Sequence, residues 1–358
     1  MLLFAVLMLI AVSVVMVYSS SSVVALTTYD DSAYFMKRQL MWAVAGLGLL
    51  AITMRVDHRH LSDQRLVIAL MVISLILLAA TLAPGIGRMV NGSRRWLRLG
   101  MLSFQPSELA KFALVVYMSY FIAKKGERIR DFMNGLVPAY VVILIFLGLA
   151  ALQPDFGSAV TLAGVAGILL FAGGANALHL GGTVLAALPF IYVAVVHEAY
   201  RWRRISAFLD PWADPQGAGH QIIQSFLAFG SGGLFGRGLG EGRQKLMFLP
   251  ERHSDFIYAV IGEELGLIGS LAVLLLFLII LWRGVKISLA AAEPFSRMLA
   301  LGITLLICLS GMVNMAVVTG LLPTKGIALP LVSYGGSSLV ISTAALGVLL
   351  NISKEAGV

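Results

Sequence analysis

Long apolar runs alternate with short polar gaps along this chain, and the runs are too long for the core of a water-soluble domain. A helix that crosses a bilayer needs about 20 predominantly apolar residues. Ten stretches approach or exceed that length: 2–26, 39–54, 66–84, 105–123, 133–152, 158–174, 178–196, 256–282, 297–319 and 334–352. The second and sixth are short. The first has no basic start and is longer than the apolar part of a cleavable signal, so it reads as a span. One long connection, 197–254, interrupts the series, and 221–229 inside it has the pattern of a short amphipathic helix lying in the membrane interface. No internal repeat and no low-complexity linker divides the chain. The pattern predicts a single all-α polytopic membrane domain over residues 1–358, with about ten transmembrane helices and one long outer loop.

Composition strengthens this reading. The chain is 59% hydrophobic and 12% charged, where a soluble domain carries about 25% charged residues. Its one cysteine, Cys308, lies in an apolar run, which excludes an intramolecular disulfide and a cysteine metal site. The net charge of +8 resides in the loops, a placement suited to lipid head groups or phosphates rather than nucleic acid.

Charge placement changes the picture more than net charge does. With both ends on one side, the loops on that side carry 11 Lys and Arg and the outer loops carry 14. The positive-inside rule is nearly silent here. Of the outer basic residues, seven lie in 197–254 and four in 85–104. Orientation alone does not require such clustering; binding an anion does.

The candidate chemistry sits at these clusters. In "NGSRRWLRLGMLSFQPSELAKF", Arg94 and Arg95 precede Trp96, and Pro106 opens a helix with Glu108 in its first turn. Glu108 and Lys111 are three apart and share a helix face. They are either a structural ion pair or a polar pair lining a substrate cavity. Trp96 suits an interfacial belt as well as a ligand platform. In "QPDFGS", Asp155 either caps the next helix or serves the site. The long loop brings Arg201, Arg203 and Arg204, then a run with seven glycines in the 13 residues 230–242. No GK[ST] follows that run, so it is not a phosphate P-loop. It either wraps an anionic ligand with Arg237, Arg243 and Lys245 or is a mobile loop. The histidines show no zinc-ligand spacing.

"LPERHSDFIYAVIGEELGLIGS" is the most informative stretch. Leu265 to Trp282 is uncharged and nearly long enough to span alone, so 255–264 can form helical turns near the outer interface. Asp255 then faces a cavity beneath the Arg-rich loop, either as a general base or as a helix N-cap or salt-bridge partner. Glu263 and Glu264 lie about 12–13 Å further along the helix and need partners, either Lys111 or backbone. Pro323, Pro330 and four glycines in 320–339 predict irregular backbone, tolerated at membrane depth only where it is buried or lines a cavity. Lys325 adds a cation there, and Ser333 a hydroxyl.

Taken together, "NGSRRWLRLG…FQPSELAKF", "QPDFGS", "DPW…GHQIIQS…GSGGLFGRGLG", "LPERHSDFIYAVIGEELG" and "LPTKGIALPLVSYGGSS" resemble the SEDS family (shape, elongation, division and sporulation). The resemblance runs through most of the chain. "PTKG" and "QPDFGS" look more like its FtsW division branch than its RodA elongation branch. The resemblance implies a peptidoglycan glycosyltransferase of the bacterial cytoplasmic membrane that polymerises lipid II, partnered by a class B penicillin-binding protein transpeptidase and other division or elongation membrane proteins. It makes Asp255 the essential acidic residue on the extracytoplasmic side, and it implies that Glu108 and Lys111 matter for activity. Substrate contacts are then expected from Arg94, Arg95, Trp96, Glu108, Lys111, Asp155, Arg201, Arg204, Lys325 and Ser333. Cations stabilise the departing pyrophosphate, with a divalent ion (Mg²⁺ or Mn²⁺) as an alternative source of positive charge. The rival class is a lipid II flippase, which would use the same charges as a transport path.

Overall fold

The computed structural model describes residues 1–83, 86–90, 93–99, 102–243, 250–324 and 326–357. Each apolar run forms a helix. Before the long loop come α1 (Leu2–Tyr29), α2 (Tyr34–Thr53), α3 (Gln64–Leu82), α4 (Pro106–Lys125), α5 (Val137–Leu152), α6 (Phe156–Ala172) and α7 (Ala177–Val196). The loop itself holds α8 (Ala199–Leu209) and α9 (His220–Gly232), and α10 (Ile257–Ala290), α11 (Pro294–Val318) and α12 (Gly336–Glu355) complete the chain. Seven of these helices are long and apolar enough to cross a membrane, and α6 and α7 contribute shorter apolar lengths. Helix α4 has the span length but carries Glu108, Lys111, Lys124 and Lys125. The protein is a multi-pass membrane protein.

The helix ends follow local chemistry. Pro106 and Pro294 occupy first-turn positions, where a missing N–H costs nothing. Asp63, Asp155 and Asn176 accept backbone N–H groups as N-caps.

The hydrophobic pattern gave no sign of one element. Residues 87–104 hold a three-stranded antiparallel sheet, β1 (Gly87–Val90), β2 (Ser93–Leu99) and β3 (Leu102–Phe104), in the order β1-β2-β3. Trp96 stands opposite Arg88, and Leu97 opposite Phe104. The all-α expectation therefore gains a small sheet, which presents Arg95 and Trp96 from a rigid strand.

Helix α11 is central, packed on α10, α4 and α6, while α12 lies along α2. A Cβ at Gly347 would collide with Thr53, so the missing side chain sets how closely α12 approaches α2. Helix α7 touches mainly α6 and α8 and leaves Leu185 and Phe190 exposed, as suits a lipid-facing helix.

The glycine-rich run is packed in place. Helix α10 is interrupted at Gly266 (φ 69°, ψ −164°), which leaves backbone groups without intrahelical partners. The N–H groups of Arg237 and Gly238 donate to the carbonyls of Glu263 and Glu264, both at 3.0 Å. Across the break, Leu267 and Ile268 donate to the carbonyls of Gly233 and Leu234 at 2.9 and 3.2 Å. The buried carboxylates join the same seam. Glu263 accepts the Arg243 N–H at 2.7 Å, and Glu264 accepts the Gly240 N–H at 3.2 Å and the Ser19 hydroxyl at 2.6 Å. Among the described residues, the two glutamates are thus partnered by the loop backbone and Ser19, and Lys111 pairs with Glu108 instead. Tight approach explains the glycines: a Cβ at Gly232 or Gly236 would strike the Gly262 or Glu264 carbonyl. Gly236 also has φ 79°. Gly236→Ala is expected to destabilise the protein by about 1–3 kcal/mol, read as a lower melting temperature in detergent. A Gly230→Ala control, where a Cβ meets open space, should change little.

Candidate active site

The N-terminal halves of α4, α6 and α12 and the middle of α11 surround a cavity of about 570 Å³, which the sheet, α8 and the segments 250–256 and 326–335 also line. Its upper wall carries Arg95, Trp96, Arg204, Glu251 and Asp255. Lower down it presents Glu108 and Lys111, then Leu306, Ile341 and Ala345. A charged upper part above a lower part of hydroxyl-bearing and apolar side chains, with Thr161, Ser310, Ser338 and Ser342 beside Leu306, Ile341 and Ala345, fits an amphipathic ligand with a charged head.

Asp255 stands just before α10, on backbone tied down from several sides. The Ser333 hydroxyl donates to the Ser254 carbonyl at 2.6 Å and accepts the Leu329 N–H at 2.8 Å. The Tyr334 N–H donates to the His253 carbonyl at 2.9 Å, and the His253 ring packs against Phe35 and Tyr334. Burial pushes the Asp255 carboxyl up to about 7, and Glu251 pushes the same way. Arg95 and Arg204 pull it down, and Asp155 adds a smaller upward push. A carboxylate that titrates near neutrality is suited to taking a proton from a hydroxyl at physiological pH.

The cations are held in place without being neutralised by Asp255. Arg95 donates through Nε to the Gln153 carbonyl at 3.2 Å and through Nη2 to the Pro154 carbonyl, with Nη1 3.7 Å from Asp155. Asp155 also caps α6, accepting the Ser158 N–H at 3.2 Å and its hydroxyl at 2.8 Å. The capping role is thus present, and the pairing with Arg95 is added to it. Arg204 donates to the Thr324 carbonyl at 3.1 Å and to the Tyr200 hydroxyl, above whose ring it lies. Glu108 and Lys111 pair at 2.7 Å on the cavity wall, so they are both an ion pair and part of the lining.

Other expected contacts fall elsewhere. Arg94, Asp155 and Arg201 are not among the lining residues. Arg201 stacks on the Phe156 ring, 3.9 Å from its centre, and Arg94 sits at the β1–β2 pairing opposite Met89. Ser333 is buried, with its hydroxyl committed to backbone, so it positions the Asp255 segment and does not face the cavity. Lys325, like Lys245, lies outside the described residues. The sequence reading missed Glu251, Tyr200 and Ser158 as wall residues. Glu251 is four residues before Asp255, and that short spacing was the available signal. Among the described residues, one cluster has metal-like spacing, Asp57, His58 and Glu355. It lies at the other end of the helices, and the His58 ring nitrogens are 2.7 Å from Asn351 and 2.7 Å from Ser296.

The family model for the FtsW, RodA and SpoVE cell cycle proteins matches residues 1–357. The chain belongs to this family. Among FtsW/RodA/SpoVE relatives, a probable peptidoglycan glycosyltransferase FtsW of Trichlorobacter lovleyi is 53% identical over 340 residues, covering 95% of this chain and 89% of that one. Stage V sporulation protein E of Bacillus subtilis is 42% identical over 348 residues, covering 97% and 94%. A chain from a solved peptidoglycan synthase complex superposes with TM-score 0.80 at 32% identity, covering 99% of this chain and 97% of that one. The rod shape determining protein RodA of Thermus thermophilus gives TM-score 0.70 at 28% identity, covering 99% and 96%.

Proposed function

We propose that this protein is a peptidoglycan glycosyltransferase that polymerises lipid II into glycan strands at the outer face of the bacterial cytoplasmic membrane. The observation that carries the reading is Asp255, held near neutrality on the wall of a cavity that also carries Arg95 and Arg204. Relatives named peptidoglycan glycosyltransferase FtsW across most of the chain support it.

In the proposed step, Asp255 takes the proton of the acceptor's 4-hydroxyl while that oxygen attacks the anomeric carbon of the donor MurNAc. The C1–O bond to undecaprenyl pyrophosphate breaks, the electron pair leaves with the pyrophosphate, and configuration inverts. Pyrophosphate is a good leaving group, so no acid partner is required, unlike hydrolysis of an ordinary glycoside. Arg95, Arg204 and Lys111 offset the charge that develops on it. The proposal includes a divalent cation, Mg²⁺ or Mn²⁺, as a further source of positive charge for the departing pyrophosphate.

The division role follows the FtsW-named relatives. A transpeptidase of the class B penicillin-binding type is the proposed partner, supported by the solved complex that concerns coordination of polymerization and crosslinking. Depletion of the protein should therefore give filaments; round cells would assign it to elongation instead.

A flippase reading has one observation in its favour, the break in α10, because transporters use broken helices at their binding sites. Here the loop backbone closes the break, and Gly266 is not on the cavity wall. The deciding experiment is purified protein in detergent with lipid II. Glycan polymer is expected; its absence, with lipid II movement only in sealed vesicles, would overturn the reading. Arg95→Ala should also weaken lipid II affinity by about tenfold, the scale of one charge-assisted hydrogen bond. Arg94→Ala should weaken it less, measured by lipid II titration.

A further inference from the structure

Asn314 is an amide near the C-terminal end of α11, between apolar sequence neighbours, and it is 1% exposed. Its Nδ2 donates to the carbonyl of Asp255 at 2.8 Å and to the carbonyl of Ile327 at 2.6 Å. Both partners are acceptors, so the NH₂ end alone can satisfy them, and this fixes the orientation of the amide. Its Oδ1 is buried without a partner. Burying an amide in an apolar span is costly unless its hydrogen bonds are made. Here both donors are spent on joining two backbone segments that do not otherwise follow each other in the chain.

Those segments meet at the reacting group. The Gly326 backbone runs directly against the Asp255 side chain: a Cβ placed there would lie 3.1 Å from Asp255 Oδ2. Gly326 and Ile327 are themselves on the cavity wall. Whatever holds Ile327 therefore also sets where the carboxylate points. We infer that Asn314 is a positioning residue for glycosyl transfer, clamping the backbone of Asp255 to the 326–327 segment so that the carboxylate meets the acceptor hydroxyl at a fixed depth and angle. This rests on the reading of Asp255 as the base.

The groups facing Asp255 are Glu251 from its own segment, Arg95 from β2, Arg204 from α8 and Asp155 at the start of α6, with Glu108 and Lys111 of α4 lower in the cavity. Removing the clamp has a readable consequence because burial dominates that balance. In Asn314→Ala the segments separate, the carboxylate gains hydration beyond what the cavity wall allows it, and the acidic limb of the pH–rate profile moves down. Asn314→Asp keeps the shape, loses both donors and adds a negative charge beside Asp255, so the limb moves up. Either way kcat should fall about 10–100-fold, the scale of an ångström of misplacement, with KM for lipid II little changed.

The experiment measures polymerisation by the purified full chain in detergent as a function of lipid II concentration and pH, with thermal unfolding as a control. Opposite shifts of the acidic limb support the clamp. Wild-type turnover in either variant, or reduced turnover with the limb unmoved in both, overturns it. Should both Asn314 variants fail to fold, Gly326→Ala decides, since it removes no hydrogen bond and presses on the carboxylate from the same segment. A lower kcat with a raised limb supports the inference, and unchanged kinetics overturns it. No polymer from the wild-type chain would sink the functional reading itself; polymer from wild type with unshifted variants sinks the clamp alone.

Discussion

Asp255→Asn is expected to leave a folded protein that binds lipid II and polymerises it about 10²–10⁴-fold more slowly, the loss typical of a missing general base. The amide keeps the size of the carboxyl and much of its hydrogen bonding but cannot accept the proton. In the wild type, the rate should rise with pH through about 7, where the Asp255 carboxyl ionises, and then level off. Stability should respond in the opposite sense. The folded carboxyl is raised above its ordinary value of 3.8, so its contribution to stability is intact below that value and declines as pH rises through about 7. The Asn variant lacks this decline and should melt higher than wild type in alkaline buffer, while matching it in acid. A helix cap predicts a different result, since Asn caps about as well as Asp. An Asn variant that polymerises at near the wild-type rate would remove Asp255 from the mechanism.

Lys111→Met is expected to cost about 3–5 kcal/mol, because it leaves Glu108 charged and unpaired in a confined site. The two groups are 2.7 Å apart, with side chains only 10% and 13% exposed. Glu108→Gln combined with Lys111→Met should recover part of the loss, since a neutral pair needs no counter-charge. Thermal unfolding in detergent reads both effects. Turnover separates the two roles of the pair: if Lys111→Met melts normally yet makes no polymer, the ammonium serves the pyrophosphate and its contribution to folding is small.

Much of the architecture was legible because lipid imposes a length on apolar runs. All ten predicted spans are helices, with most ends shifted by a few residues and α10 running on from 282 to Ala290, and 221–229 falls inside α9. The sheet at 87–104 was not legible, since its strands are short and its basic residues hide any alternation. Pairing across the chain was also hidden. Glu263 and Glu264 announced a need for partners, but nothing in a linear sequence pointed to the backbone of residues 240–243 or to Ser19, 245 positions from Glu264. Composition could not distinguish a glycine run that is mobile from one that fits closely against a helix. At the cavity, Arg95, Trp96, Glu108, Lys111, Arg204 and Asp255 converge as charge clustering suggested. Arg94 and Ser333 do not, because strand geometry and a buried turn, rather than residue type, decide which side chains face inward. Asn314 left one faint signal, an amide alone among apolar neighbours.

The interruption at Gly266 has a mechanical meaning. Residues 257–265, which follow Asp255, are fastened to the loop backbone at 237–238, and residues 267–268, where the long apolar length begins, to the same loop at 233–234. Bilayers differ in thickness, and helices answer by tilting, at a cost of a fraction of a kcal/mol per ångström of mismatch. A continuous helix would carry such a tilt straight to its outer end and swing the carboxylate with it. The break at Gly266 interrupts that path, and the loop at 233–238 holds the backbone on both sides of it, so a tilt of the long length is resisted at residues 267–268 before it reaches the short one. The height of the carboxylate above the lipid is thereby set by protein contacts, and the same catalytic geometry can be kept in envelopes of different lipid composition.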